Sequence, residues 1–343
     1  MRLRLFASTF FAALCGAACG HAGSEPGAGP TAPASGSSCL PESGCSECGR
    51  CFDACLCGGG AIKRCAEECG TDGEPADAAP GSLVATLEME SFEIPAGQEY
   101  VRCQRFANPF GRDVVLTRTE SFMTAGSHHL FVFLSEDAEP GPLEVCSGLE
   151  FAEYLHTSQR PHEIYDYPSG VGRLLRADRG VKLQIHYLNP LRESTRVELA
   201  VTLRAAEPEQ VSIRAGQIFI NTAFINVPPH SGRAASTRCS VPKDVELFSA
   251  ISHMHQYGLS FGARDSTGQL LYATNDWEHP EPWNFAPPRR ILAGSTIEIR
   301  CDYQNTSDAT LTFGESAATN EMCIFAGGYY PAIDGEEVIS CLL

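Results

Sequence analysis

What most limits the fold of this chain is the period of its apolar residues. The stretch "RVELAVTL" puts Val197, Leu199, Val201 and Leu203 on one face, and "STIEIRCDY" does the same with Ile297, Ile299, Cys301 and Tyr303. A two-residue period is the repeat of a strand with one buried face. "HHLFVFL" is more continuously apolar, as in a strand buried on both faces. Short β-prone runs broken by Gly, Pro and Asn continue from residue 83 onward, and no segment keeps a 3.6-residue period. A length of 343 residues with 43% apolar content suffices for two cores. The expectation is an all-β chain with two tandem antiparallel β-sandwich domains, jelly-roll-like, over 83–207 and 208–343, with the change near "AAEPEQ".

The first eighty residues read differently. "MRLRLFASTFFAALCGAACGHAG" carries Arg2 and Arg4, an apolar run from Leu5 to Leu14, and then small residues. That is the layout of a secretory signal over 1–19, too short for a membrane span. Cys19 in "GAAC" invites a bacterial lipoprotein reading, but Gly16 stands where that signal usually has Leu, so lipidation and simple release both remain open. Residues 20–38 form a flexible Gly/Pro/Ala/Ser linker, and 70–82 a second one. Between them, 39–69 hold eight of the chain's 16 cysteines: Cys39, Cys45, Cys48, Cys51, Cys55, Cys57, Cys65 and Cys69. The run Cys45-x2-Cys48-x2-Cys51-x3-Cys55 fits a ferredoxin-type spacing, but Leu56 follows instead of Pro, and an exported chain favours disulfides over an iron–sulfur cluster or zinc. This is a small disulfide-rich segment placed ahead of the β domains. The expected location is extracellular or the cell envelope, with membrane contact only through a lipid anchor. A net charge of −17 argues against nucleic acid and anionic membrane surfaces as partners, and its spread along the chain reads as a solubilising surface.

The chemistry gathers in four places. "SHMHQYG" sets His253 and His255 two apart, on one side of a strand, so that both can face one metal. Surface histidines are the plain alternative. "GSHHLFVFL" has adjacent His128 and His129, which point opposite ways, one to the core and one to the surface, unless a bulge or a local twist intervenes. "KLQIHYLNP" places His186 in an apolar strand, where a hydrogen-bonded core histidine is equally ordinary. "TNEMCIFAGGYYP" has Met322 in an apolar run, normally a core filler.

Taken together and in this order, "SHHLFVF", "LQIHYLNP", "SHMHQYG", "RCDYQNT" and "NEMCIFAGGYYP" resemble the copper type II, ascorbate-dependent monooxygenases, the family of dopamine β-hydroxylase and peptidylglycine α-hydroxylating monooxygenase. The resemblance spans 90–343. It implies that His128, His129 and His186 hold an electron-transfer copper. His253, His255 and Met322 would hold the oxygen-binding copper, giving two copper ions per chain in two separate sets. Ascorbate or a similar one-electron reductant and O2 would complete the reaction, hydroxylation of a C–H bond. A soft thioether suits Cu(I) and is rare in zinc hydrolases. The resemblance also implies the pairs Cys103–Cys146, Cys239–Cys341 and Cys301–Cys323, the last anchoring the neighbour of Met322, and it puts Gln184 near the first copper as an outer support. His156, His162, His230 and His279 match no ligand motif and read as surface or structural. The peptide-hydroxylating branch has Arg two residues before its H-x-H, and Asn and Tyr two and four residues after its Met. Here Ile251, Ile324 and Ala326 stand there, which points away from a peptidylglycine substrate and toward a less charged one. A non-catalytic copper-binding or storage protein of the cell envelope needs the same six ligands and is the rival reading.

Overall fold

The computed structural model describes residues 83–342 apart from 125–126, 147–152, 190 and 334–336. They belong to one compact unit, Ala78–Leu343. The signal peptide expected at 1–19 with Cys19, the linkers at 20–38 and 70–82, and the cysteine-rich segment at 39–69 lie outside the described residues.

The described chain is all-β, with no α-helix among the described residues. Its first part builds two sheets. One runs in the order Leu83–Glu88, Leu199–Ala206, Val114–Met123, Val171–Leu175, Ile213–Arg214, with His162–Asp166 also pairing to Val114–Met123. The other runs Glu144–Val145, Glu99–Phe106, Gly180–Leu188, Ser127–Ser135, Tyr154–Ser158. They share a core in which Leu116, Val201 and Leu203 of the first meet Leu130, Val132, Leu183 and Ile185 of the second. The later part repeats the arrangement. A five-stranded sheet (Trp283–Ile291, Val245–His253, Ile324–Tyr330, Gly216–Asn221, Val338–Leu342) shares a core with a four-stranded one (Gly232–Ser240, Thr296–Gln304, Gly258–Asp265, Leu270–Thr274).

The period-two stretches land where their pattern directs them. Val197, Leu199, Val201 and Leu203 are all buried, and so are Ile297, Ile299, Cys301 and Tyr303. Leu130 to Leu134 are buried without alternation, because one face of their strand meets the sheet core and the other meets the later part of the chain. Three disulfides pin the sheets: Cys103–Cys146, Cys239–Cys341 and Cys301–Cys323.

The early and late sheets are in direct contact. Phe131, Phe133 and Tyr154 pack with Phe219, Ile251, Met322, Ile324 and Ala326. Tyr154 donates its hydroxyl to Ile218 O at 3.2 Å. Arg173 is fully buried and ties Ala215 O at 3.0 Å to the carboxylate of Glu337 at 2.6 Å. Glycine is required at Gly328, where a Cβ would run into the Tyr165 hydroxyl and the Phe248 ring. These contacts bring one end of Ser127–Ser135 against the end of Val245–His253, and that junction is where the histidines meet.

Candidate metal centre

An unbroken pleat would send His128 and His129 to opposite faces. The ladder is broken here: His129 opposes His186 while Tyr187 opposes Ser127, so His128 is the extra residue of a bulge. The bulge turns both imidazoles to one side. Ring centroids are 5.2 Å apart for His128 and His129, 5.1 Å for His128 and His186, and 5.0 Å for His129 and His186. His253 ends the strand Val245–His253, and His255 follows in the turn. Their rings lie 5.2 Å apart.

The structure packs the two expected sets into one cluster. His128 lies 4.7 Å from His253 and 5.1 Å from His255, and His129 lies 4.9 Å from His253, centroid to centroid. Within each of two triads, His128–His129–His186 and His128–His253–His255, the ligand nitrogens fall within 4.8 Å of one another, so His128 belongs to both. The sequence separates these sets because its motifs lie in different parts of the chain, and no local pattern reports the packing of one sheet pair on the other.

Hydrogen bonds fix which nitrogen of each ring points inward. Gln159 donates its amide to Ser252 O at 2.7 Å, which turns its oxygen toward His253, and His253 Nδ1–H donates to that oxygen at 2.6 Å. His255 Nδ1–H donates to Asn320 O at 3.0 Å. His186 Nε2–H donates to Glu99 Oε1 at 2.7 Å, leaving Nδ1 as its lone-pair nitrogen. Nε2 of His128, His253 and His255 and Nδ1 of His129 are buried with no partner. Buried polar atoms are nearly always satisfied, and imidazoles oriented through their other nitrogen are the usual outer support of metal ligands. Burial, then the neighbouring imidazoles, push His128, His129 and His253 well below the ordinary histidine range, and burial holds His255 at about 4. All four are neutral near pH 7, the form that binds metal. The donor set therefore fits a borderline or soft cation.

Met322 is buried beside this cluster's second strand pair and adjoins the Cys301–Cys323 bridge. Tyr303 donates its hydroxyl to Met322 O at 2.8 Å. The residue before it, Glu321, has a wholly buried carboxylate that accepts the backbone N–H groups of His255 at 3.0 Å, Tyr257 at 2.7 Å and Met322 at 3.3 Å. One side chain thus ties the H-x-H turn to the methionine. Burial pushes its carboxyl up to about 7. Glu99 does similar work for His186. It also accepts from Ser316 Oγ and Ala317 N, both at 2.8 Å, and so joins the first triad to the turn that leads into Glu321. Burial alone would raise its carboxyl, but the bonds from His186, Ala317 and Ser316 hold it down at about 2.

Gln184 is buried, and its amide lies 3.6 Å from Cys103 Sγ and 3.9 Å from Cys146 Sγ. The glutamine that grips a cluster imidazole is Gln159. Of the remaining histidines, His230 is exposed beside Asp308, His279 is exposed, and His162 donates to Glu120 at 2.8 Å. His156 is the structural case: it is 1% exposed, with Nε2 at 3.0 Å from Ser121 Oγ. Glu321 was visible in "NEM", where a glutamate before an apolar run reads as a strand edge. Glu99 and Gln159 carry no motif, since their roles come from pairing across distant strands.

Among the described residues, all-β, five buried imidazoles cluster with their lone pairs converging, and His186, His253 and His255 are braced through their other nitrogen, which defines a histidine-rich candidate metal protein. Residues 214–341 match the family model described as copper type II ascorbate-dependent monooxygenase, C-terminal domain. DBH-like monooxygenase protein 2 of Mus musculus is 23% identical over 312 residues, covering 78% of this chain and 48% of that protein. Tyramine beta-hydroxylase of Caenorhabditis briggsae is 24% identical over 258 residues, 64% of this chain and 43% of that protein. DBH-like monooxygenase protein 1 of Mus musculus is 25% identical over 198 residues, 50% of this chain and 32% of that protein. Residues 214–341 are thus similar to the C-terminal domain of the copper type II ascorbate-dependent monooxygenases, and the wider chain is similar to relatives bearing monooxygenase and hydroxylase names. The chain spans less than half the length of these relatives.

Proposed function

We propose that this chain is a copper-dependent, ascorbate-reduced monooxygenase that hydroxylates a C–H bond of a small organic substrate with O2. The observation that carries the reading is the set of unpartnered, buried, neutral ring nitrogens converging at one place. His128, His129 and His186 would hold one copper ion and His253, His255 and Met322 a second. Copper, when bound, supplies the one-electron and dioxygen chemistry. The chain's own contribution is orientation and dryness. Gln159, Asn320 and Glu99 aim the imidazoles, Glu321 ties the H-x-H turn to Met322, and burial of every ring keeps bulk water away. Gln184, against the Cys103–Cys146 bridge, supports the strand that presents His186. The two sheet pairs read as tandem β-sandwiches over 83–207 and 208–343. Three disulfides among the described residues support an exported protein in an oxidising compartment, extracellular or in the cell envelope.

The test is metal analysis of protein purified without added metal, followed by oxygen uptake with ascorbate across a panel of candidate substrates. Two copper ions per chain and substrate-dependent oxygen uptake are expected. Zinc at full occupancy that copper cannot displace would remove the reading. Copper uptake with no substrate-dependent oxygen consumption would favour a storage protein.

A further inference from the structure

A buried metal centre needs a way in as well as ligands. None of the five clustered histidines is more than 6% exposed, so an ion in solution meets none of their lone pairs directly. Two approaches are closed. Phe131, whose ring lies 5.3 Å from that of His129, is buried, and the Glu99 carboxylate beside His186 is held by Ser316 and Ala317. Among the described residues, the other aromatic neighbour of the cluster is Trp277. Its ring lies 6.1 Å from that of His128, centroid to centroid, and it is only half-buried.

Trp277 stands in the loop 275–282, which joins the strands Leu270–Thr274 and Trp283–Ile291. Local bonds hold the backbone of this loop. Thr274 Oγ1 accepts the N–H of Asp276 at 3.0 Å, and Asp276 Oδ1 accepts those of Glu278 at 3.0 Å and His279 at 2.9 Å. Tyr272 donates its hydroxyl to Glu281 O at 2.9 Å. The His279 side chain is left facing solvent. It belongs to neither triad, and its ring has no hydrogen-bond or ion-pair partner among the described residues. Its charge nevertheless reaches the interior: after burial and the rings of His253, His255 and His186, His279 is the next group that holds the His128 imidazole down. An exposed imidazole thus lies within electrostatic range of a buried one whose Nε2 has no partner, with the Trp277 indole beside the second and two residues from the first. Glu278 and Glu281, both exposed on the same loop, favour a cation there.

We infer that His279 is an entry ligand: it captures a copper ion at the surface, beside Trp277, and hands it to Nε2 of His128. The inference rests on the reading of the five buried rings as a metal centre. Capture exchanges a solvent ligand of the ion for the His279 ring, and transfer exchanges that ring for His128 Nε2. No electron moves, and the neutral rings release no proton. A single exposed ring suits this task, because a complete surface site would keep the ion that the interior is meant to receive.

The test is the rate at which the full chain, stripped of metal by a chelator, takes up Cu(II) and, without air, Cu(I), each supplied on a chromophoric chelator and followed by stopped-flow absorbance. Final copper content and circular dichroism are measured on every sample. His279→Ala should slow both uptakes by about tenfold or more, the lower end of what a favourable mouth adds to an on-rate, with final copper content unchanged. His279→Met should recover the Cu(I) rate and leave the Cu(II) rate slow, because a thioether is a soft donor. Wild-type rates in His279→Ala, or a methionine variant that recovers neither rate, overturn the inference. A lower final copper content in His279→Ala makes it a resident ligand and overturns the entry role. A wild-type chain that takes up no copper removes the metal-centre reading and the inference with it.

Discussion

His186 and Glu99 are joined at 2.7 Å, and the same carboxylate holds Ser316 and Ala317 from the other pair of sheets. Removing it releases an imidazole and a turn together. Glu99→Ala is expected to lower metal affinity of the His128–His129–His186 triad by roughly 10–100-fold, the usual cost of losing an outer hydrogen bond. Glu99→Gln keeps an accepting oxygen and should recover much of it. Titration against a competing chelator, with circular dichroism as the check on folding, reads both.

Glu321 is the acceptor of three buried backbone amides. Glu321→Ala strands all three, and each unsatisfied buried donor costs about 1–3 kcal/mol. A loss of roughly 3 kcal/mol or more is expected in chemical denaturation. Glu321→Gln should cost clearly less. Wild-type stability in the alanine variant would mean that the amides find other partners.

Met322 separates a ligand from a filler. Met322→Ile conserves volume and should cost of the order of 1 kcal/mol in stability. With His253 and His255 still present, Cu(II) uptake should weaken only moderately, while Cu(I) binding and the sulfur signal in X-ray absorption should be lost. Survival of that sulfur signal would exclude Met322 as a ligand.

Glu163 makes stability depend on pH in a known direction. Burial raises its carboxyl from 4.5 to about 7. Between those values the unfolded chain has released the proton and the folded chain keeps it, so the contribution of Glu163 to stability declines as pH rises through the window and is level above it. Glu163→Gln removes the titration. The stability of the variant minus that of the wild type should therefore grow from pH 4.5 to 7 and then flatten. A difference that does not change with pH would show that the carboxyl ionises as it would in water.

The strand pattern and the ligand motifs were legible because both are local. Val197 to Leu203 alternate on a single strand, and His253 and His255 are two positions apart. The adjacent pair His128–His129 can share a metal only through a bulge or a local twist, and a bulge is present, with His128 as the inserted residue. Long-range relationships left no such trace. Nothing in the spacing shows that His128 meets His253, or that Gln159 would orient it, because 94 residues separate Gln159 from its imidazole. His156 looked unremarkable for the same reason: its surroundings come from strands that are distant in sequence, and only their assembly reveals an unpartnered nitrogen.

The braces run crosswise. Gln159 precedes residue 207 yet steers His253, and Glu99 lies among the early strands yet secures the turn before Glu321. The early portion finishes the late ligand set, and the late turn at Ser316 and Ala317 in return holds Glu99 on His186. The two portions are therefore not interchangeable modules: a chimera that borrows its second portion from a relative would inherit histidines without their guides. Recombination inside this unit should succeed only where Glu99 and Gln159 travel with the partners they were matched to, which makes the pair of sheet assemblies a single heritable piece.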